Sequence, residues 1–164
     1  MSAAMALALA EIIEDRRPEG LFASQLSRLR TKSAVIATRP AEEVVDLIRA
    51  WMASRAAAIG VEVAPADITS IREDSRLLPS GLSDPRTDLA AAAVAEGYIA
   101  RTDLAVFADD HFLDLEAEHE RPNVFLHVVD TPSNPTPRLL SAADLIDHGG
   151  PRETQAAMHL LGRA

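Results

Sequence analysis

The sequence predicts an α/β or α+β fold: a small mixed sheet with packing helices, preceded by an N-terminal helical segment. Three observations predict it. Val124-Phe125-Leu126-His127-Val128-Val129 is nearly continuous in apolarity and rich in valine, as a central strand covered on both faces is. Stretches of helical period lie on either side of that run. Residues 1–33 hold two such stretches, so the expected organisation is a helical segment over 1–33 and an α/β domain over 34–164.

Taken in order, residues 3–17 read as a helix, because Met5, Leu9, Ile12 and Ile13 fall on one face and Pro18 and Gly20 stop it. A second helix is expected over about 21–31, aligning Phe22, Leu26 and Leu29. Ala34 to Ala37 reads as a short strand. A helix over 40–59 follows, opened by Pro40, with Val44, Ile48, Trp51 and Ile59 inward and Gly60 closing it. Its Glu42, Glu43 and Asp46 near the start and Arg49 and Arg55 later suit the helix dipole. Trp51 is read as a core anchor.

Val61-Glu62-Val63 and Ile68-Thr69-Ser70-Ile71 read as strands, and Leu77 to Pro85 as a turn-rich connection. The alanine-rich stretch from Asp88 to Glu96 favours a short helix by composition. Strand is expected from Ile99 on and through Asp103 to Ala108. A charged amphipathic helix is expected over 112–120 with Phe112, Leu113 and Leu115 inward. After the strand at Val124, the prolines at 132, 135 and 137 impose an extended or looped crossing. Helices over 139–147 and 151–162 close the chain, the second opened by Pro151.

Composition bounds the function. The 164 residues are 48% apolar and 25% charged, a globular balance with room for a core. There is no cysteine, which excludes disulfides, thiolate catalysis and cysteine zinc sites. The first ten residues are apolar but short, lack a basic lead and run into Glu11, so no secretory signal is expected. No apolar run approaches the ~20 residues of a membrane helix. A cytoplasmic protein is expected.

The net charge is −9. Residues 1–40 carry six Arg/Lys and four Asp/Glu, and the acid excess lies beyond them. An acidic body repels phosphates, so any DNA contact belongs at the front, where Arg28, Arg30 and Lys32 alternate. The same three residues also read as solvated cations near a helix end. The two front helices are half of a winged helix-turn-helix or, preferred here, a hairpin for packing or dimerisation.

The densest polar cluster runs from Asp109 to Glu120. On a helix, His111, Asp114 and Glu118 stand at i, i+3 and i+7, so one face would offer an imidazole and two carboxylates to zinc or manganese. Asp114-Leu115-Glu116 also has the acidic-apolar-acidic spacing with which nucleotidyltransferases hold Mg²⁺. The Gly-Ser turn those enzymes place upstream is missing at that spacing. Acidic residues equally decorate any solvated helix. Ser80-Gly81-Leu82-Ser83-Asp84 has no histidine near it in sequence and no Gly-x-Ser-x-Gly elbow, so it reads as a turn rather than a hydrolase nucleophile. No phosphate loop is present. His127 reads as a hydrogen-bonded core or edge histidine, and His148 as helix-end chemistry.

The C-terminal stretch carries a pattern. Asn123-Val124-x-Leu126-x-Val128, followed by Ala143-Asp144-Leu145, Gly149, Pro151-Arg152-Glu153, Ala157 and Leu160, resembles the end of the C-terminal domain of AbiEi-like antitoxins and related bacterial regulators. These belong to type IV toxin–antitoxin pairs. The resemblance covers about 40 residues well and about 80 loosely. It implies an α/β domain that counters a nucleotidyltransferase toxin, and a winged helix that binds operator DNA. Residues 1–60 depart from the family, since no full winged helix is legible there.

The expected function is therefore a non-enzymatic regulatory or interaction protein of antitoxin or transcription-regulator type. It would bind a protein partner, for instance a cognate toxin, through the α/β domain. Its front would form a homodimer or touch DNA through Arg28, Arg30 and Lys32. Asp144, Gly149, Pro151, Arg152 and Glu153 would be the structural signature of the C-terminal segment. No catalytic residue, cofactor or membrane association is assigned. Two alternatives stay open: a metal-dependent enzyme on a nucleotide or phosphoester, built on His111, Asp114, Glu116 and Glu118, and an immunity-type or assembly protein for a basic partner.

Overall fold

A computed structural model describes residues 1–89 and 92–163. The fold is α+β: seven α-helices and a four-stranded mixed sheet among the described residues. The chain divides into two compact units, one of Met1–Arg55 with Pro137–Ala164, the other of Ala56–Thr136.

The first unit is helical. It holds α1 (Ala3–Ile13), α2 (Ala23–Thr38), α3 (Ala41–Met52), α6 (Arg138–His148) and α7 (Pro151–Leu160). Ser2 caps α1 by accepting from the Met5 N–H at 3.4 Å, and the Gln25 side chain accepts from the Phe22 N–H at 2.9 Å at the start of α2. The stretch expected to be a strand at 34–37 is the last part of α2. Leu29 and Ile36 are both buried two turns apart on that helix, and only a helix keeps them on one face. The expected boundary at 33/34 thus falls within a continuous helix.

α3 starts where Pro40 predicts but ends at Met52 rather than 59. Val44, Ile48 and Met52 are its buried stripe. Trp51 is half-buried, and Lys32 Nζ lies 3.5 Å from its ring centroid. Burial lowers the Lys32 pKa from its usual value. α6 packs on α1, α3 and α7. Gly149 ends it in the left-handed region at φ 76°, and Pro151 opens α7.

The second unit is the sheet. β1 (Ala57–Val61), β4 (Val124–Val129), β3 (Ala95–Ala100) and β2 (Leu78–Pro79) lie side by side in that order. β3 and β4 are parallel; the two outer pairs are antiparallel. β4 is central, as its apolar run predicts. Ala95, Ile99, Val124, Leu126 and Val128 point to one face. There they form the core with Ile68 and Ile71 of α4 (Ile68–Glu73) and Phe107 of α5 (Leu104–Asp110).

Five expectations are corrected in this unit. Ala57 to Ile59 belongs to a strand that runs on to Val61 and is not the end of a helix, because it pairs with β4 residue by residue from Ala57–Val128 to Val61–Val124. Gly60 is therefore no cap; a Cβ there would sit 3.0 Å from the Pro122 Cβ. Ile68–Ile71 is helical, since a strand would put these two buried residues on opposite faces. Residues 104–110 are helical for the same reason, Leu104, Phe107 and Ala108 facing inward. Part of the expected 88–96 helix lies outside the described residues; its end, Ala95 and Glu96, belongs to β3.

The fifth is the helix expected at 112–120, which does not form. Phe112 takes φ 53° and is 94% exposed rather than inward. Asp114 Oδ1 accepts from the Glu116 and Ala117 N–H groups, both at 3.1 Å, a local bond that competes with a helix. Leu113 and Leu115 do pack on the core, at a spacing of two that suits extended chain.

Candidate functional site

The other face of the sheet carries the most organised polar group of the second unit. Glu96 pairs with Phe125 and Tyr98 with His127 across the parallel β3–β4 ladder. Glu96 and His127 therefore sit diagonally on one face, and His127 Nε2 lies 3.0 Å from Glu96 Oε1. Both are buried, at 1% and 6% exposure. The imidazole stacks on Tyr98 at a centroid distance of 5.0 Å.

The loop between β2 and β3 closes over the same carboxylate. Glu96 Oε2 accepts from the Leu82 N–H at 2.7 Å, and the Glu96 carbonyl accepts from the Ser80 N–H at 3.1 Å. Ser83 Oγ accepts from the Glu96 N–H at 2.9 Å. Gly81 makes the approach work: it has φ 51°, and a Cβ there would overlap the Glu96 carboxylate. Downstream, Asp84 accepts from the Arg86 N–H, Nε and Nη2, and Arg86 Nη2 also donates to the Thr136 carbonyl at 2.8 Å. A carboxylate bonded to both His127 and the Leu82 N–H, with almost no exposure, orients the imidazole ring and fixes the loop. The cleft beside it, lined by Arg72, Leu77, Pro79, Ser83, Pro85 and Glu96, is about 200 Å³, below the ~300–1,000 Å³ of ordinary small-molecule sites.

The metal candidates are placed apart. His111 Nε2 is 3.0 Å from Asp74 Oδ2, Asp114 caps its own loop, and Glu118 is exposed. Without a helix over 112–120 the i, i+3, i+7 face does not exist, and the three do not converge among the described residues. Glu116 is exposed on the same loop. Asp74 belongs instead to a network in which Arg76 bridges it and Asp110, the latter at 2.8 Å. The Arg76 hydrogen bonds hold the Asp74 carboxyl well below the usual range, against its burial, and the two acids push Arg76 upward.

In the helical unit, Arg28 and Arg30 are exposed on α2 while Lys32 covers Trp51. Arg30 meets two arginines that have no role in the sequence-based expectation. Arg16, Arg17 and Arg30, with Asp15, Ile12 and Leu26, line an open cleft of about 430 Å³ between α1 and α2. Arg16 is paired with Glu14 there. Lys32→Ala is expected to destabilise the protein by about 0.5–1 kcal/mol, the worth of a cation–π interaction at such a site, without changing any DNA affinity. Denaturant unfolding beside a DNA titration checks both halves.

The C-terminal signature residues serve α6 and α7. Asp144 is 1% exposed and accepts from Arg55 Nε at 2.7 Å. Gly149 and Pro151 mark the helix ends, Glu153 sits in the first turn of α7, and Arg152 is exposed. The roles of Arg55 and Glu96 are not legible in the sequence, because their partners are 89 and 31 residues away.

The two units differ in charge. The helical unit carries eleven Arg/Lys against ten Asp/Glu, net +1; the sheet unit carries five against fifteen, net −10. Compared with known protein families, curated proteins and solved structures, the chain finds no match in any of the three. Among the described residues, no helix is long and apolar enough to cross a membrane.

Proposed function

We propose that this chain is a non-enzymatic regulatory interaction protein, of the antitoxin or regulator type that its C-terminal pattern resembles, and that its sheet unit binds a basic protein partner. The charge division carries the reading. A net −10 confined to the 81 residues of one unit steers a cationic surface toward it and repels nucleic acid. The most organised polar group of that unit, Glu96–His127, is closed from solvent, which suits architecture better than turnover.

The reading has a direct test. The full chain is titrated with arginine-rich peptides and, separately, with DNA from upstream of its own gene, each across a salt series. Binding of the peptides with an affinity that falls with salt is expected. Peptides that fail to bind at low salt would overturn it.

DNA contact by the helical unit is the second reading, favoured by the cleft that gathers Arg16, Arg17 and Arg30. Arg17→Ala with Arg30→Ala should then reduce the salt slope of DNA binding by about one for each phosphate that is no longer neutralised. An unchanged slope would remove the cleft from the account.

A further inference from the structure

Phe112 is the exposed aromatic of the acidic unit. It is 94% exposed, and Val106, six residues before it on α5, is 57% exposed. A phenylalanine offers some 150–250 Å² of contact area, and here nearly all of it faces solvent. The backbone holds it there: the Phe112 N–H donates to the Asp109 carbonyl at 3.3 Å and the Leu113 N–H to the Ala108 carbonyl at 2.8 Å. On either side, Phe107 and Leu113 are buried in the core.

Residues 102–120 contain seven Asp/Glu and no Lys or Arg. Asp109, Asp114, Glu116, Glu118 and Glu120 are exposed and have no ion-pair partner among the described residues. An exposed aromatic flanked along the chain by unneutralised carboxylates has the composition of an anchor with a charged rim.

We infer that Phe112 is the docking point of the sheet unit for a basic protein segment that carries an apolar side chain among its arginines or lysines. The occupant follows from charge complementarity: the rim repels an acidic or phosphate-bearing partner, and the ring requires an apolar counterpart. The inference rests on the function proposed above and names the place where that partner binds.

The test uses the full chain and two arginine-rich peptides of equal length and charge, one interspersed with leucine and one with serine. The leucine peptide is expected to bind about tenfold more tightly or better, as burial of one aromatic anchor provides. Phe112→Asn, which suits a left-handed backbone, should erase that preference and leave the salt dependence intact. Glu116→Gln with Glu118→Gln and Glu120→Gln should weaken both peptides and flatten their salt dependence.

Equal binding of the two peptides, or a preference that survives Phe112→Asn, would overturn the docking point while the basic-partner function stands. Failure of both peptides to bind overturns both. Self-association that is abolished in Phe112→Asn would assign the patch to a second copy of this chain and overturn the inference as well.

Discussion

Arg55→Ala is expected to destabilise the helical unit by about 3–5 kcal/mol, because it takes the arginine away from a buried carboxylate. Arg55 follows α3 directly. Its Nε donates to Asp144 Oδ1 at 2.7 Å, its Nη2 reaches Asp147 Oδ2 at 2.6 Å, and its Nη1 donates to the Met52 carbonyl at 3.2 Å. The guanidinium thus joins the end of α3 to two successive turns of α6. Asp147 is half exposed and contributes less, since water screens it.

Urea unfolding checks the expectation, and two further variants separate its causes. Arg55→Lys keeps the charge but loses the planar fork, so it should retain only part of the stability. Arg55→Met with Asp144→Leu removes both charges and should recover much of the loss, as replacement of a buried pair by apolar residues does. A loss below about 1 kcal/mol for Arg55→Ala, the range of an exposed pair, would show that the pair acts as a surface one.

Gly81→Ala should destabilise the sheet unit by roughly 3 kcal/mol. About 1–2 kcal/mol comes from a left-handed alanine, and about 1–3 kcal/mol from overpacking against Glu96. At φ 51° the new methyl would overlap the Glu96 carboxylate. Glu96 would move away from Leu82 and from His127, so the loop and the imidazole would be released together. The clash is separable from the backbone cost. In a Glu96→Ala background, Gly81→Ala should cost only the left-handed part, and the two changes should be clearly non-additive. Additive losses would place the clash elsewhere.

The same geometry gives Phe112 a different sign. A phenylalanine at φ 53° carries a backbone cost, and its exposed ring gives little packing in return. Phe112→Asn should leave stability unchanged or raise it by up to about 1 kcal/mol. The docking experiment therefore reads binding in a variant that stays folded.

Several elements were legible because their signals are local. The valine-rich run at 124–129 announces a central strand in any context. Pro40 and Pro151 mark helix starts, Gly149 a helix end, and the prolines at 132–137 a crossing without regular structure. The single-face patterns read over 3–17 and 40–59 announce α1 and α3, although the helices end earlier, at Ile13 and Met52. A mixed class, α/β or α+β, follows from these alone; the strand order and directions decide for α+β. The charge division also begins in the sequence, since the acid excess beyond residue 40 is a matter of counting.

Only the tertiary structure decided the rest, because the deciding partners are distant. Ala57 to Ile59 reads as the end of a helix but belongs to a strand, since β4 supplies a ladder partner for each residue. Ile68–Ile71 and 103–108 read as strands but fall in helices, since their apolar residues are three and four apart and must meet one core. The acidic stretch 112–120 loses its helix to an Asp114 turn and a left-handed Phe112, and with it the face that would have aligned His111, Asp114 and Glu118. Lys32 lies over the face of Trp51, and Arg30 shares a cleft with Arg16 and Arg17. Glu96 meets His127, and Arg55 meets Asp144, only once the chain is folded. Periodicity records which face of an element is apolar. It does not record what that face packs on, and in this protein the packing partner selects strand or helix and brings the buried charges together.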